Sequence, residues 1–216
     1  MRLNTAPTDG SLSAAIREGA AAQHDAAENS LFVTELLAGR ISRQGYAEYL
    51  LRLRLIYAAL EDAVRAHRAD PLVAAVYDPA LERVPAIDAD LEHWAPGTGY
   101  DVDSPAAQNY RERLCGLSWG GAVLAHHYTR YLGDLSGGQA VGRILDREFD
   151  LGGKGLAFYE FPLRVKPYKD GYRGRVDGLG LGADDTARVV AEVKVAFGLN
   201  QALFDELAAR LPRYQR

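Results

Sequence analysis

The sequence predicts an all-α protein on three observations: apolar residues recur at helical spacing through most of its 216 residues, helix start signals stand where those runs begin, and the best strand candidate is too short and isolated to found a sheet. The first run, Ser11 to Asn29, reads as one helix. Ser42 to His67 is a long amphipathic helix with Ser42 as its N-cap. Pro79 to Trp94 reads as a third, and Ser104-Pro105 sets a capping hydroxyl before a proline at the first turn of a fourth. Helices follow over Ala122 to about Phe149, Arg164 to Val176 and Asp184 to Arg210. Gly/Pro-rich loops at Pro96 to Asp103, Gly152 to Gly155 and Gly178 to Gly182 separate them, and the strand candidate is Leu156 to Phe161.

At 48% hydrophobic and 25% charged, with no composition shift or Ser/Pro-rich linker, the chain is expected to form one domain over residues 1–216, with 1–10 and 212–216 as flexible termini. A net charge of -4 argues against a nucleic-acid binder. The single cysteine, Cys115, forms no internal disulfide and has no second thiolate for a metal site, so it is expected to be a packed thiol on a helix. The first residues lack an apolar signal core, and no apolar run is long enough to span a bilayer. A soluble, cytoplasmic monomer is the expectation.

Most of the chemistry gathers in Tyr128-Thr129-Arg130-Tyr131-Leu132-Gly133-Asp134-Leu135-Ser136-Gly137-Gly138-Gln139. Each interior glycine costs a helix about 1 kcal/mol relative to alanine, and Gly133, Gly137, Gly138 and Gly142 fall within ten positions. Without a Cβ, Gly133 and Gly137, one turn apart, let the backbone approach a large flat ligand, and Gly137-Gly138 can kink. The LSGGQ letters at Leu135 to Gln139 look like an ABC-type ATPase signature, but no GxxxxGK[ST] phosphate loop accompanies them: Gly153-Lys154 is followed by Gly155. The plainer alternative is a tight helix crossing.

The stretch from Ala125-His126-His127-Tyr128 to Gly142-Arg143 closely resembles the distal-helix signature of the haem oxygenases. Gln23-His24-Asp25-Ala26-Ala27-Glu28 resembles the family's proximal segment, in which a histidine supplies the axial ligand to haem iron. Ile56-Tyr57 to Glu61, Phe158-Tyr159-Glu160-Phe161, Tyr168-Lys169-Asp170-Gly171-Tyr172-Arg173 and Phe197-Gly198-Leu199-Asn200 resemble its later landmarks, so the likeness runs from about His24 to Leu207. The ending, Leu211 to Arg216, looks like the soluble bacterial form of the family. The resemblance implies a single all-α domain with haem b between a proximal helix and a kinked distal one. It also implies haem contacts from Glu28, Gly133, Ser136, Gly137, Phe197 and Asn200.

The residues themselves support several of these positions. At 100° per residue Arg17, His24 and Glu28 fall on nearly one face, with Ala20 and Ala21 leaving an open shelf for a porphyrin. An imidazole suits haem iron, and Glu28 is placed to orient it directly or through water; the plainer alternative is a half-exposed histidine. His67 and His93 read as surface residues, and His126-His127 face different directions and make a poor shared metal site. Between Arg164 and Arg175 five cations (Arg164, Lys166, Lys169, Arg173, Arg175) stand against Asp170 alone. Lys169 and Arg173, four apart, match the family's propionate-binding positions, with Tyr128 and Arg17 assisting, although the family commonly has Lys at the position of Arg17. Part of this patch is a candidate dock for an acidic electron donor, a ferredoxin or flavoprotein reductase; the alternative is a solvated basic face.

By the same resemblance, Asp134 anchors ordered water, with Arg130 and Tyr57 in one hydrogen-bond network, and delivers protons to the reduced dioxygen. The implied reaction opens haem with O2 and reducing equivalents to biliverdin, carbon monoxide and ferrous iron, at the α-meso carbon, haem being both substrate and cofactor. A haem carrier or sensor is the alternative, and it would not need Asp134 and its network. A thiaminase-like enzyme with a nucleophilic cysteine ranks third, because Cys115 has no recognisable activating partners.

Overall fold

The computed structural model describes residues 10–216, so residues 1–9 of the expected flexible N-terminus lie outside the described residues. Ser11 caps α1 (Leu12–Gly19), its side chain accepting from the Ala14 amide at 3.3 Å. The single helix expected to reach Asn29 is broken: Ala20 leaves the helical basin with φ -111° and ψ 12°, and α2 (Ala21–Glu28) starts anew. The break falls where α1 crosses another helix. At Gly19 the end of α1 lies so close to the last long helix that an added Cβ would sit 2.5 Å from Val190 Cγ1. A seven-residue helix that the sequence pattern did not suggest, α3 (Leu31–Leu37), follows and buries Phe32 and Leu36.

The long α4 (Arg43–Ala66) begins as expected at Ser42, which accepts from the Gly45 amide at 3.3 Å. Tyr46, Leu50, Leu53, Tyr57, Leu60 and Val64 form its buried face. Each aliphatic member contributes about 2 kcal/mol by leaving water, so core packing sustains the helix across its full length. After α5 (Pro71–Ala74), residues Pro79–Leu81 form a separate 3-10 turn instead of starting the expected helix, and α6 runs Val84–Trp94. Then come α7 (Pro105–Cys115), capped by Ser104 on the Ala107 amide, and α8 (Gly120–Gly133). Five residues of π-helix, Asp134–Gly138, separate α8 from α9 (Gln139–Phe149). Leu156 to Phe161 holds a 3-10 turn, Ala157–Tyr159, and no strand. The chain closes with α10 (Val165–Asp177), α11 (Ala183–Ala208) and α12 (Leu211–Tyr214).

Two long helices organise the core. α4 packs on α6, α7 and α8, while α11 packs on α8 and α7 and on α1 to α3. Where α7, α8 and α11 meet, His126 is fully buried with Nε2 2.9 Å from Glu192 and Nδ1 3.2 Å from the Tyr110 hydroxyl; Arg113 pairs with the same carboxylate. Burial lowers the His126 pKa, so the neutral ring donates to Glu192 and accepts from Tyr110. His127 faces elsewhere, toward Tyr172, so the two neighbours point apart as expected.

Three expectations are corrected. Residues 212–216 are tied down, not loose: Tyr214 is buried, its carbonyl accepts from the Ser42 amide at 2.6 Å, and the Arg216 amide donates to the Arg40 carbonyl. Cys115 is exposed, because it ends α7 beyond the buried Leu114. His67 and His93 are half-buried, the first with Nδ1 2.9 Å from the Ala63 carbonyl and the second against Trp94. No described helix is long and apolar enough to cross a membrane.

Candidate active site

A cleft of about 1180 Å³ opens between α1 and α2 on one side and the α8–π–α9 segment on the other, with α10 at its rim and α11 closing it from behind. The four glycines of the distal segment divide into two pairs. Gly133 and Gly137 face the cleft, and a Cβ at either would meet nothing within 4 Å. Gly142 instead accommodates Tyr159, since a Cβ there would sit 3.1 Å from the Tyr159 Cβ, and Gly138 lies against the same ring. The first pair therefore leaves an open, side-chain-free surface, and the second lets the Ala157–Tyr159 turn pack tightly behind it. The π-turn between them is a distortion that recurs at functional sites.

Asp134 opens that turn and is the acid of the cleft floor, where its carboxylate accepts the Tyr57 hydroxyl proton. Arg130 Nε donates to the same hydroxyl at 3.2 Å, and Arg130 Nη1 donates to Asn200 Oδ1 at 2.8 Å. A continuous buried chain, Asn200–Arg130–Tyr57–Asp134, thus joins α11, α8 and α4. Burial pushes the Asp134 pKa up, partly offset by the Arg130 charge and the Tyr57 bond. Burial also carries the Tyr57 phenol well above its usual value, so it keeps its proton and donates.

On the opposite wall the His24 side chain is 51% exposed, with Nε2 3.6 Å from Glu28 Oε1 and Nδ1 3.7 Å from Asp25 Oδ1, both longer than a hydrogen bond. The Phe197 ring meets His24 edge-on at 5.6 Å between centroids. Arg17 lines the same wall despite the break at Ala20. His24, Asp25 and Glu28 also form a group with donor atoms all within 4.8 Å of one another, the one such group among the described residues.

Cations edge the opening. Lys169 Nζ donates to the Ser136 hydroxyl at 2.9 Å, and burial with the neighbouring Arg173 lowers its pKa. Burial raises the Tyr128 phenol, and the Arg173 guanidinium beside it opposes that rise. Lys166 pairs with Asp170 at 2.8 Å, whereas Arg175 turns away to the Ala75 carbonyl at 2.7 Å.

Of the residues picked out from the sequence, Arg17, His24, Glu28, Tyr128, Arg130, Gly133, Asp134, Ser136, Gly137, Arg173, Phe197 and Asn200 line the cleft. Tyr57 stands behind Asp134 and Lys169 reaches Ser136 at the rim; neither lines the cavity itself. Sequence reasoning missed the clasp of Ser13 on Asp177, where backbone amide and hydroxyl donate to the two carboxylate oxygens at 2.8 and 2.9 Å and join α1 to α10. It also missed the device that holds the Phe158 wall. Asp90 accepts from the Ala157 and Phe158 amides, both at 2.8 Å, and Arg83 donates to the Glu160 carbonyl at 2.7 Å. Partners so far apart in the chain leave no local signal.

The "Heme oxygenase" family model matches residues 10–206. Heme oxygenase 1 of Homo sapiens is 38% identical over 205 residues, covering 91% of this chain and 71% of that protein. The solved structure of heme oxygenase from Leptospira interrogans superposes with a TM-score of 0.87 at 32% identity, covering 91% of this chain and 99% of that one. That of heme oxygenase-1 from Synechocystis sp. PCC6803 in complex with heme has a TM-score of 0.87 at 31% identity, covering 94% of this chain and 95% of that one.

Proposed function

The chain belongs to the haem oxygenase family and is a haem-degrading, biliverdin-forming oxidoreductase, and from that premise we propose how its cleft performs the reaction. The residues present fit haem b. The open surface at Gly133 and Gly137 suits a flat ring, and His24, across the cleft, would hold its iron. Arg17, Tyr128, Lys169 and Arg173 are the partners for the propionates, and Phe197 supports the His24 ring edge-on. Haem supplies both the iron at which O2, the co-substrate, is reduced and the ring that is oxidised.

The rest is work for the protein's own groups. Asp134 holds water over the glycine face and supplies the proton, and the upward shift of its pKa brings it closer to the pH at which a carboxyl transfers protons well. Tyr57 fixes the direction of the carboxylate, Arg130 fixes Tyr57, and Asn200 fixes Arg130. Ser136 adds a hydroxyl at the rim, and Glu28, 3.6 Å from the His24 ring in an exposed pair, is within a small side-chain turn of the bond that would steady the imidazole. Phe158 and Tyr159 line one wall of the cleft, and with Tyr128, Lys169 and Arg173 together at its rim the α-meso carbon would be the one attacked. The cationic outer face of α10 receives the acidic electron donor.

One observation carries this reading over a non-catalytic haem carrier: the buried Asn200–Arg130–Tyr57–Asp134 chain. Burying a carboxylate and a guanidinium is expensive, and mere binding of haem gives no reason for it. The thiaminase-like reading has no support, since Cys115 is exposed on α7 and does not line the cleft. The test is an absorption time course of the protein with one equivalent of hemin, then ascorbate in air with an iron chelator. A Soret band that forms and then bleaches as biliverdin absorption rises supports turnover; one that forms and persists, even with a protein reductant, points to a carrier.

A further inference from the structure

Among the described residues, α10 is tied to other elements through its side chains: Tyr168 to Asp78, Lys169 to Ser136, Tyr172 to His127, Arg175 to the Ala75 carbonyl and Asp177 to Ser13. Only the bond between Tyr172 and His127 joins two buried residues. The others are open in part to water, which can replace them at little cost. His127 Nδ1 lies 2.8 Å from the Tyr172 hydroxyl, the two rings stack at 13° with centroids 5.7 Å apart, and Tyr131 closes over His127 at 4.5 Å.

Burial lowers the His127 pKa to about 3 and carries the Tyr172 phenol well above its usual value. Tyr172 therefore donates, and the neutral imidazole accepts at Nδ1. The next residue along each helix turns the other way: Tyr128 and Arg173 both face the cleft, with the guanidinium beside the phenol. His127–Tyr172 and Tyr128–Arg173 are thus two rungs between α8 and α10, the first buried in the core and the second at the haem cleft.

We propose that His127 and Tyr172 are positioning residues that set α10, and with it Lys169 and Arg173, against the glycine face of α8, and so decide how haem is rotated in its plane and which meso carbon is attacked. The inference rests on the reading of the cleft given under Proposed function. The geometry supports it because Lys169 and Arg173 flank Tyr172 on the same two turns of α10, so a shift at Tyr172 moves both cations together. Val176 is the one other buried residue of α10, and its apolar packing carries no directional bond.

The test compares the parent protein with H127F, Y172F and the double variant. Hemin is titrated into each, circular dichroism is recorded in the Soret region, and the biliverdin isomers are separated after turnover with ascorbate in air. The single variants should bind hemin within about fivefold of the parent, yet alter the Soret dichroism and shift the isomer distribution, and the double variant should do no more than either single one. Y172F removes one oxygen and keeps the ring, so it remains decisive if H127F fails to fold. Parent-like dichroism together with a parent-like isomer pattern in Y172F overturns the proposal. A parent protein that gives no Soret band overturns the haem reading itself, and the inference falls with it.

Discussion

The Tyr57 hydroxyl donates to the Asp134 carboxylate while accepting from Arg130, so a residue of α4 holds the acid that opens the π-turn after α8. Because the guanidinium occupies the oxygen of Tyr57 from the other side, the phenolic proton has one direction left. The expected consequence is a division of labour in which Asp134 handles the proton and Tyr57 handles the geometry. Asp134→Ala should bind hemin with a normal Soret band while the biliverdin yield falls by about two orders of magnitude. Product analysis in the ascorbate assay checks this, and an undiminished yield rules out the role.

Gly137→Leu separates haem recognition from folding. A Cβ there meets nothing, so the apo-protein should be no less stable and could gain about 0.5–1 kcal/mol from helix propensity. Filling the glycine face should weaken hemin binding by at least about tenfold. Urea melts and a Soret titration report the two quantities; unchanged affinity would show that the bare face is no binding surface.

The His24 side chain is exposed and has no partner within hydrogen-bond distance, so His24→Ala should leave the apo-protein within about 0.5 kcal/mol of the parent. The electron paramagnetic resonance spectrum of its hemin complex should change, and the affinity should fall. A spectrum identical to the parent's would remove His24 as the axial ligand.

Arg173→Ala, which also frees Tyr128 at the rim, should raise the hemin Kd about tenfold, or about 1.4 kcal/mol. Lys169→Ala should act in the same direction. A hemin titration with no change in either variant would place the propionates elsewhere.

Glu192 links fold stability to pH. Burial opposes its ionisation, but bonds from His126 and Arg113 prevail and hold its pKa down at about 2. The unfolded chain therefore binds the proton more readily between about pH 4.5 and pH 2. The stabilisation, on the order of 3 kcal/mol, is fully present above pH 4.5 and is lost as pH falls through that window. Glu192→Gln should cost about 1–3 kcal/mol at pH 7 and flatten the acid limb of stability against pH measured by urea melts. An acid limb as steep as the parent's would contradict the assignment.

What the sequence determined by itself was local or repeated along one helix. The caps at Ser42 and Ser104 are bonds to amides three residues on, so hydroxyl and partner are read together. The glycine run announced a bare surface because its cost in helix stability is intrinsic to the residues, and the likeness of the segments around His24, Asp134 and Lys169 to a known family supplied their expected roles. Tertiary structure decided the rest. The first helix breaks at Ala20, next to the close approach of Gly19 to Val190, and α3 is too short to show a period. Nor could local spacing assemble the cleft: Asn200 lies 70 positions from Arg130, Tyr57 lies 77 from Asp134, and Ser13 lies 164 from Asp177. Hydrogen bonds across such distances are set by how α4, α8 and α11 pack, and that packing is a property of the whole core rather than of any window of residues.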